Sequence, residues 1–130
     1  MSQANMEIVR RMLTSRHDYE AAFAETRTDV EWVVAKEHPN SRTLYGHEEI
    51  RGYFDEWDEM LEDIQFDVDD YREAPNRVVA MGKVRGKGKG GGTPVVVPLM
   101  LVCVFEGDKV ARVEEYLDRA DALEAAGLSE

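Results

Sequence analysis

From Ile64 onward the second half of the chain consists of successive strand-like runs, the first of which alternates apolar and polar residues, and this pattern constrains the fold more than any other feature. Short turn sequences, Pro75-Asn76 and Gly107-Asp108, separate some of the runs, and a glycine-rich stretch at 86–92 separates two others. A period of two is typical of strands with one buried face, and short turns join such strands as antiparallel hairpins. The predicted strands cover residues 64–71, 77–85, 93–105 and 109–117.

Helical spacing dominates the first half. Met6, Val9, Met12 and Leu13 recur three and four residues apart, which predicts a short amphipathic helix. Asp18 is a favourable N-cap for a second short helix that follows it. The two helices are expected to form a bent hairpin.

One strand and two further helices complete the predicted order. Residues 29–36 are rich in β-branched side chains and predict a strand, whereas Ile50, Phe54, Trp57 and Leu61 form one apolar stripe of a helix that follows Gly46. A last helix covers residues 120–126. The order α-α-β-α-β-β-β-β-α predicts an α+β fold in which helices cover one face of a curved sheet.

Length and charge limit the function classes. The chain has 130 residues and a net charge of -11, which predicts a single domain over 1–130 and disfavours binding to a nucleic acid backbone. The apolar run at 95–105 is shorter than the roughly 20 residues of a membrane helix, so no membrane association is expected. Cys103 is the only cysteine, and the N-terminus lacks the pattern of an export signal. We therefore expect a cytoplasmic protein.

Three local sequences are similar to those of a known family. They are Tyr45-Gly46-His47-Glu48-Glu49-Ile50 at a helix start, Phe105-Glu106-Gly107-Asp108-Lys109-Val110 at a turn, and Glu115-Tyr116-Leu117-Asp118-Arg119 followed by Ala122-Leu123-Glu124-Ala125-Ala126-Gly127-Leu128. The chain resembles a SnoaL-like domain of the nuclear-transport-factor-two-like superfamily. This resemblance implies a cone in which a curved mixed sheet wraps around the N-terminal helices and leaves an apolar pocket. It also implies a homodimer formed through the sheet.

Glu115 is the candidate catalytic residue. Alternation along the last strand places it on the same face as Val113 and Leu117, where a lone carboxylate in apolar surroundings suits general acid or base chemistry. The resemblance implies a catalytic carboxylate at or near this position, as in the epoxide hydrolases and cyclases of the superfamily. Two alternatives remain open: an ion pair at the rim with Arg85 or Lys83, or a solvated carboxylate on an outward face.

The resemblance also argues against two reactions that are known in the superfamily. The positions that correspond to the functional groups of a steroid isomerase hold Leu101, Trp32 and Leu13 here. An epoxide hydrolase of this fold needs a second carboxylate on the strand after Pro75, and residues 78–85 contain no acid. Both reactions are therefore in doubt.

Aromatic and aliphatic side chains predict the walls of the pocket. Trp32, Phe54 and Trp57 are expected to point inward, and Leu101, Cys103 and Leu117 lie on inward strand faces. Lys83 is a candidate for stabilising negative charge on a ligand near Glu115. A cavity of roughly 300 Å³ or more that touches Glu115 would indicate a ligand site, whereas a filled core would indicate a purely structural role.

No metal or cofactor is predicted. His17, His38 and His47 lie in separate contexts without a second ligand at metal-site spacing. The glycine-rich stretch lacks the Gly-Lys-Ser/Thr of a phosphate loop, joins two antiparallel strands, and predicts a flexible hairpin tip. The sequence thus predicts a pocket for a hydrophobic small molecule. The protein is either an isomerase, cyclase or hydrolase, or a non-catalytic binding and dimerisation module.

Overall fold

The computed structural model describes residues 2–15 and 18–129. Helices and strands occupy most of these ranges and alternate as an α+β fold. The helices are α1 (Ser2–Thr14), α2 (Tyr19–Phe23), α3 (Gly46–Met60) and α4 (Arg119–Ala125). The strands are β1 (Thr26–Val33), β2 (Thr43–Tyr45), β3 (Leu61–Ala74), β4 (Arg77–Gly88), β5 (Pro94–Glu106) and β6 (Lys109–Tyr116).

The strands form one curved, unclosed sheet in the order β2-β1-β6-β5-β4-β3. β1 pairs in parallel with β6, and the other neighbours pair antiparallel, so the sheet is mixed as predicted. The parallel pairing sets Trp32 of β1 opposite Val113 of β6. The first long strand therefore lies beside the last one, and residues far apart in sequence meet at the centre of the sheet.

Three boundaries differ from the sequence prediction. The segment 43–45, predicted as loop, is the short strand β2, which pairs with β1 through the register Trp32 to Leu44. Helix α3 ends at Met60, and Leu61 begins β3 because its backbone is already extended. β1 begins at Thr26, three residues before the predicted start.

Helices α1, α2 and α3 cover the inner face of the sheet. Ile50 and Tyr53 of α3 are almost completely buried there, together with Val9 of α1 and with Val78 and Val113 of the sheet. Asp18 caps α2 as predicted, because its carboxylate accepts a hydrogen bond from the backbone N–H of Ala21. These helices and the sheet enclose the main core.

The outer face is covered by α4. Val79, Met81 and Val102 are fully buried in a second cluster, against Ala122 and Leu123 of this short helix. In the predicted homodimer, a second copy of the chain would cover this face of the sheet. Much of the face is instead covered by α4 of the same chain. A homodimer through the sheet stays a prediction.

The beginning of β5 extends beyond β6. The antiparallel register with β6 starts at Met100, so the described residues 94–99 pair with β4 alone. Proline is tolerated on such an edge because no partner requires its missing N–H, and Pro98 lies there. Val96 is 61% exposed in this part of the strand. Within the described ranges, no helix is long and apolar enough to cross a membrane.

Candidate functional site

Glu115 of β6 points into the interior and is only 6% exposed. Its carboxylate accepts three hydrogen bonds: from the Trp32 indole Nε1 at 2.7 Å, from the Ala35 backbone N–H at 3.1 Å, and from the Tyr53 hydroxyl at 2.9 Å to the nearer oxygen. A carboxylate is a pure acceptor when it is ionised. Three converging donors therefore hold the carboxylate in a fixed position.

The fold explains how these donors converge. Trp32 is on β1, which lies next to β6, and the chain leaves the sheet just after Val33, so the N–H of Ala35 turns toward Glu115. Tyr53 comes from α3, one turn after Ile50, on the buried side of that helix. The site thus needs β1, β6 and α3 to meet, which is a property of the whole fold.

Within residues 2–15 and 18–129, no ion pair neutralises this carboxylate. Among the described residues, none with a cationic side chain lies within 4 Å of it. Arg85, proposed as a rim partner, forms its ion pair with Asp67 at the exposed surface. Arg42 lies 5.7 Å from the centre of the Tyr53 ring and pairs with Glu56 at 3.4 Å. Both alternatives from the sequence, a rim ion pair and a solvated carboxylate, are therefore wrong.

Tyr53 is held in its protonated form. Burial, the negative charge of Glu115 and the hydrogen bond to that carboxylate all raise the pKa of Tyr53 far above its ordinary value of 10.0. The hydroxyl consequently remains a hydrogen-bond donor at any physiological pH. Tyr53 therefore orients Glu115 as a neutral donor and brings no second negative charge to the site.

An apolar cavity of about 90 Å³ lies on the inner side of Glu115. Apart from this glutamate, its walls are apolar, aromatic or uncharged polar side chains. They are Met12, Leu13, Tyr19, Ala22, Phe23, Thr26, Val30, Trp32, Ile50, Phe54, Trp57, Ile64, Phe66, Val84, Leu99, Leu101 and Val113. The volume is below the roughly 300 Å³ expected for a drug-sized ligand, so the cavity fits only a small molecule or part of a larger one.

A second, more polar cavity of about 430 Å³ lies on the other side of the same residue. Its walls include Lys36, Glu37, Ser41 and Glu114. Of the described residues, Glu115 alone lines both cavities. Glu115 therefore borders both an apolar cavity and a polar one.

The rings around the apolar cavity meet edge to face. The centroids of Trp32 and Phe54 are 5.1 Å apart with an interplanar angle of 84°, and those of Phe54 and Trp57 are 6.0 Å apart at 67°. Such T-shaped contacts are favourable for aromatic side chains. They leave ring faces and edges of different orientation around the cavity.

The structure brings together most of the residues predicted from the sequence. Trp32, Phe54, Trp57 and Leu101 line the apolar cavity with Glu115, and Leu117 lines the polar cavity.

Two of the predicted ligand-binding residues do not line either cavity. Cys103 is completely buried in the core, where burial raises the pKa of its thiol to about 12. Lys83 is exposed, because alternation along β4 turns it away from the face on which Val84 lines the apolar cavity. Lys83 is too far outside to contact a ligand beside Glu115.

Two contacts of Glu115 were not found from the sequence. Tyr53 follows Ile50 by three residues, which is the spacing of one helix face, so the helical period contained the signal for it. Ala35 contributes only its backbone N–H, and a loop backbone carries no residue-type signal. The sequence therefore predicted the carboxylate and left two of its three donors unidentified.

The two described histidines lie behind the site residues and line neither cavity: the His38 ring is 6.0 Å from that of Tyr53. His38 accepts a hydrogen bond from the Asn40 backbone N–H at 2.9 Å, and His47 contacts the Thr26 hydroxyl at 2.7 Å and stacks on Phe23. His17 lies outside the described residues. Within the described part of the chain, no group of three or more His, Cys, Asp or Glu side chains is placed to hold a metal ion.

Comparison with known proteins agrees with this architecture. The SnoaL-like domain family matches residues 9–113. The chain belongs to the SnoaL-like family. No curated protein matches the sequence significantly.

Solved structures with the same cone are similar to this SnoaL-like domain over nearly the whole chain. One is a nuclear-transport-factor-two-like protein of unknown function from Burkholderia pseudomallei, with a TM-score of 0.79 and 22% identity over 97% of this chain and 98% of that one. Another is a putative SnoaL-like polyketide cyclase from Jannaschia, with a TM-score of 0.79 and 14% identity over 100% and 96% of the two chains. A third, from Catenulispora acidiphila, is a hypothetical protein with a ketosteroid isomerase-like fold, solved in complex with trimethylamine; its TM-score is 0.73, with 23% identity over 94% and 93%. At these identities the likeness shows the fold.

Proposed function

We propose that the protein binds a small, largely apolar molecule in the 90 Å³ cavity and that Glu115 exchanges a proton with it. The reaction class is an isomerisation, cyclisation or hydrolysis without a redox cofactor. The observation that carries this proposal is the buried carboxylate of Glu115 at the wall of an apolar cavity, without a cation within 4 Å among the described residues. A carboxylate held in a fixed position at the wall of a ligand cavity is placed to act as a general acid or base.

The geometry supports each part of this role. The donors Trp32 and Tyr53 fix the carboxylate, so that it needs no reorientation when a ligand arrives. Relatives described as a putative polyketide cyclase and as a trimethylamine complex support a cone that takes organic ligands.

Turnover of small carbonyl compounds and small epoxides tests the catalytic role. We expect Glu115→Gln to reduce turnover by about 10² to 10⁴-fold, the usual contribution of a general acid or base. Glu59→Gln is the matched control, because it makes the same charge change at an exposed position of α3 that lines neither cavity. Equal activity of the wild type and Glu115→Gln would refute the role of this carboxylate.

A binding module without turnover is the second candidate. The observation that favours it is the number of donors on Glu115, since three hydrogen bonds leave few lone pairs for a substrate proton. If calorimetry detects binding of the same compounds while no product forms at any pH between 5 and 9, this second function replaces the first.

A further inference from the structure

The described partners of the Glu115 carboxylate are all neutral groups: an indole, a phenol and a backbone amide. Buried charges in proteins are ordinarily paired with an opposite charge, because neutral donors replace only part of the lost hydration. A carboxylate at 6% exposure with only these neutral partners in the described ranges is therefore a favourable site for a cation that a ligand brings.

Glu115 belongs to the wall of the apolar cavity, where no other charged side chain occurs among the described lining residues. Both carboxylate oxygens already accept from neutral donors, and the Tyr53 hydroxyl lies 2.9 Å from one oxygen and 3.2 Å from the other. A ligand in this cavity that carries a positive charge would supply the opposite charge that these neutral donors lack.

The remaining walls suit the apolar part of such a ligand. Trp32, Phe54 and Trp57 surround the cavity with rings inclined at 84° and 67° to their neighbours. Aromatic ring faces attract alkylammonium groups, most strongly those of tryptophan and most strongly where water is excluded. The net charge of -11 favours the approach of cations over anions.

We propose that the apolar cavity binds a small alkylammonium ion, which pairs with Glu115 and packs its alkyl groups on Trp32, Phe54 and Trp57. The volume of about 90 Å³ is far below the roughly 300 Å³ of a drug-sized ligand site, which limits the ligand to a small ion. This deepens the proposed function, on whose cavity it rests, by naming the ligand class.

The test compares trimethylammonium with tert-butanol at pH 7. Both present three methyl groups and one polar hydrogen, and only the first is charged. The chain has two tryptophans, and both line the cavity, so the two indole signals in a ¹H–¹⁵N spectrum report on binding. Sodium chloride at the same concentrations controls for ionic strength.

We expect trimethylammonium to bind the wild type at least about tenfold more tightly than tert-butanol, and Glu115→Gln to reduce this preference to less than about threefold. Glu59→Gln, an equal charge change at an exposed position of α3, should preserve the preference. Trp57→Leu is the second variant; it keeps Glu115 and should weaken trimethylammonium binding several-fold.

The outcomes are distinct. Equal binding of the two probes overturns the ammonium site and leaves the pocket for neutral molecules intact. A preference that survives in Glu115→Gln, or that falls equally in Glu59→Gln, assigns the effect to surface charge and also overturns the ammonium site. Failure of both probes to shift the indole signals refutes the ammonium site and the ligand cavity together.

Discussion

The two faces of the sheet bury their apolar side chains in different ways. On the outer face, the short helix α4 places Ala122 and Leu123 against Val79, Met81 and Val102, and these side chains are almost completely buried. On the inner face, three helices enclose a core that keeps a cavity and a buried carboxylate. The outer face is closely packed, whereas the inner face contains unfilled space and a buried carboxylate without a cationic partner among the described residues. Such a loss of stability is typical of a functional site.

The largest expected difference concerns leucine truncation. Leu123→Ala on the outer face should lower the free energy of unfolding by about 2–5 kcal/mol, since a fully packed side chain leaves a cavity. Leu13→Ala, at the half-buried wall of the inner cavity, should cost less than about 2 kcal/mol because its side chain already lacks neighbours on one side. Urea unfolding of both variants measures this. Equal losses would contradict the contrast between the faces.

Alkaline pH should weaken the inner core through Cys103. Burial raises the pKa of this thiol from its ordinary 9.0 to about 12. Between these values the unfolded chain has released the proton and the folded chain retains it, so the stability is fully present below pH 9 and is lost as the pH rises to 12. The loss between pH 9 and pH 11 should be on the order of 2 kcal/mol.

Unfolding of the wild type and Cys103→Ala at pH 8 and pH 11 isolates this effect, because all other titrating groups are common to both. The wild type should lose more stability than the variant over this interval. The same loss in both proteins would show that the thiol is not buried in this way.

Adding a methylene group should also change the stability differently on the two faces of the sheet. Val102→Leu overfills the outer cluster and should destabilise the protein by about 1–3 kcal/mol. Val84→Leu extends into the inner cavity, so its effect should stay within about 0.5 kcal/mol. Thermal unfolding compares the two variants. A larger cost for Val84→Leu would mean that the inner cavity is already filled.

The smallest effect is expected at Lys83. Its side chain is exposed and lies on the face of β4 opposite to Val84, so Lys83→Ala should change stability by less than about 0.5 kcal/mol and leave ligand affinity unchanged. Glu115→Gln, tested beside it, should change affinity strongly. A loss of binding in Lys83→Ala would show that this lysine reaches the cavity after all.

Strand alternation predicted the inward direction of Glu115, and the helix stripe predicted Phe54 and Trp57. Alternation does not hold at the beginning of the same strand. An irregularity opposite Phe105 shifts the register there, so that Val110 is buried and Ala111 is not. These predictions succeed where a local period sets the direction of a side chain.

The cover of the outer face shows what the sequence could not provide. The last helix was predicted, but nothing in its composition of alanine and leucine says on which face of the sheet it docks. Its position depends on how the chain turns after β6 at Asp118, whose carboxylate caps the helix through the N–H groups of Ala120 and Asp121. The hydrogen bonds from Ala35 and Tyr53 to Glu115 also depend on tertiary contacts, so the sequence alone does not predict them.

The central claim is that a fixed, buried carboxylate of Glu115 forms the wall of the inner cavity, and the Trp32 indole N–H reports on it most directly. In the wild type, a charge-assisted hydrogen bond of 2.7 Å should move this indole proton downfield and slow its exchange with solvent. In Glu115→Gln, the same signal should move upfield and exchange faster, while the Trp57 signal changes less. A Trp32 signal that is identical in both proteins would contradict the account.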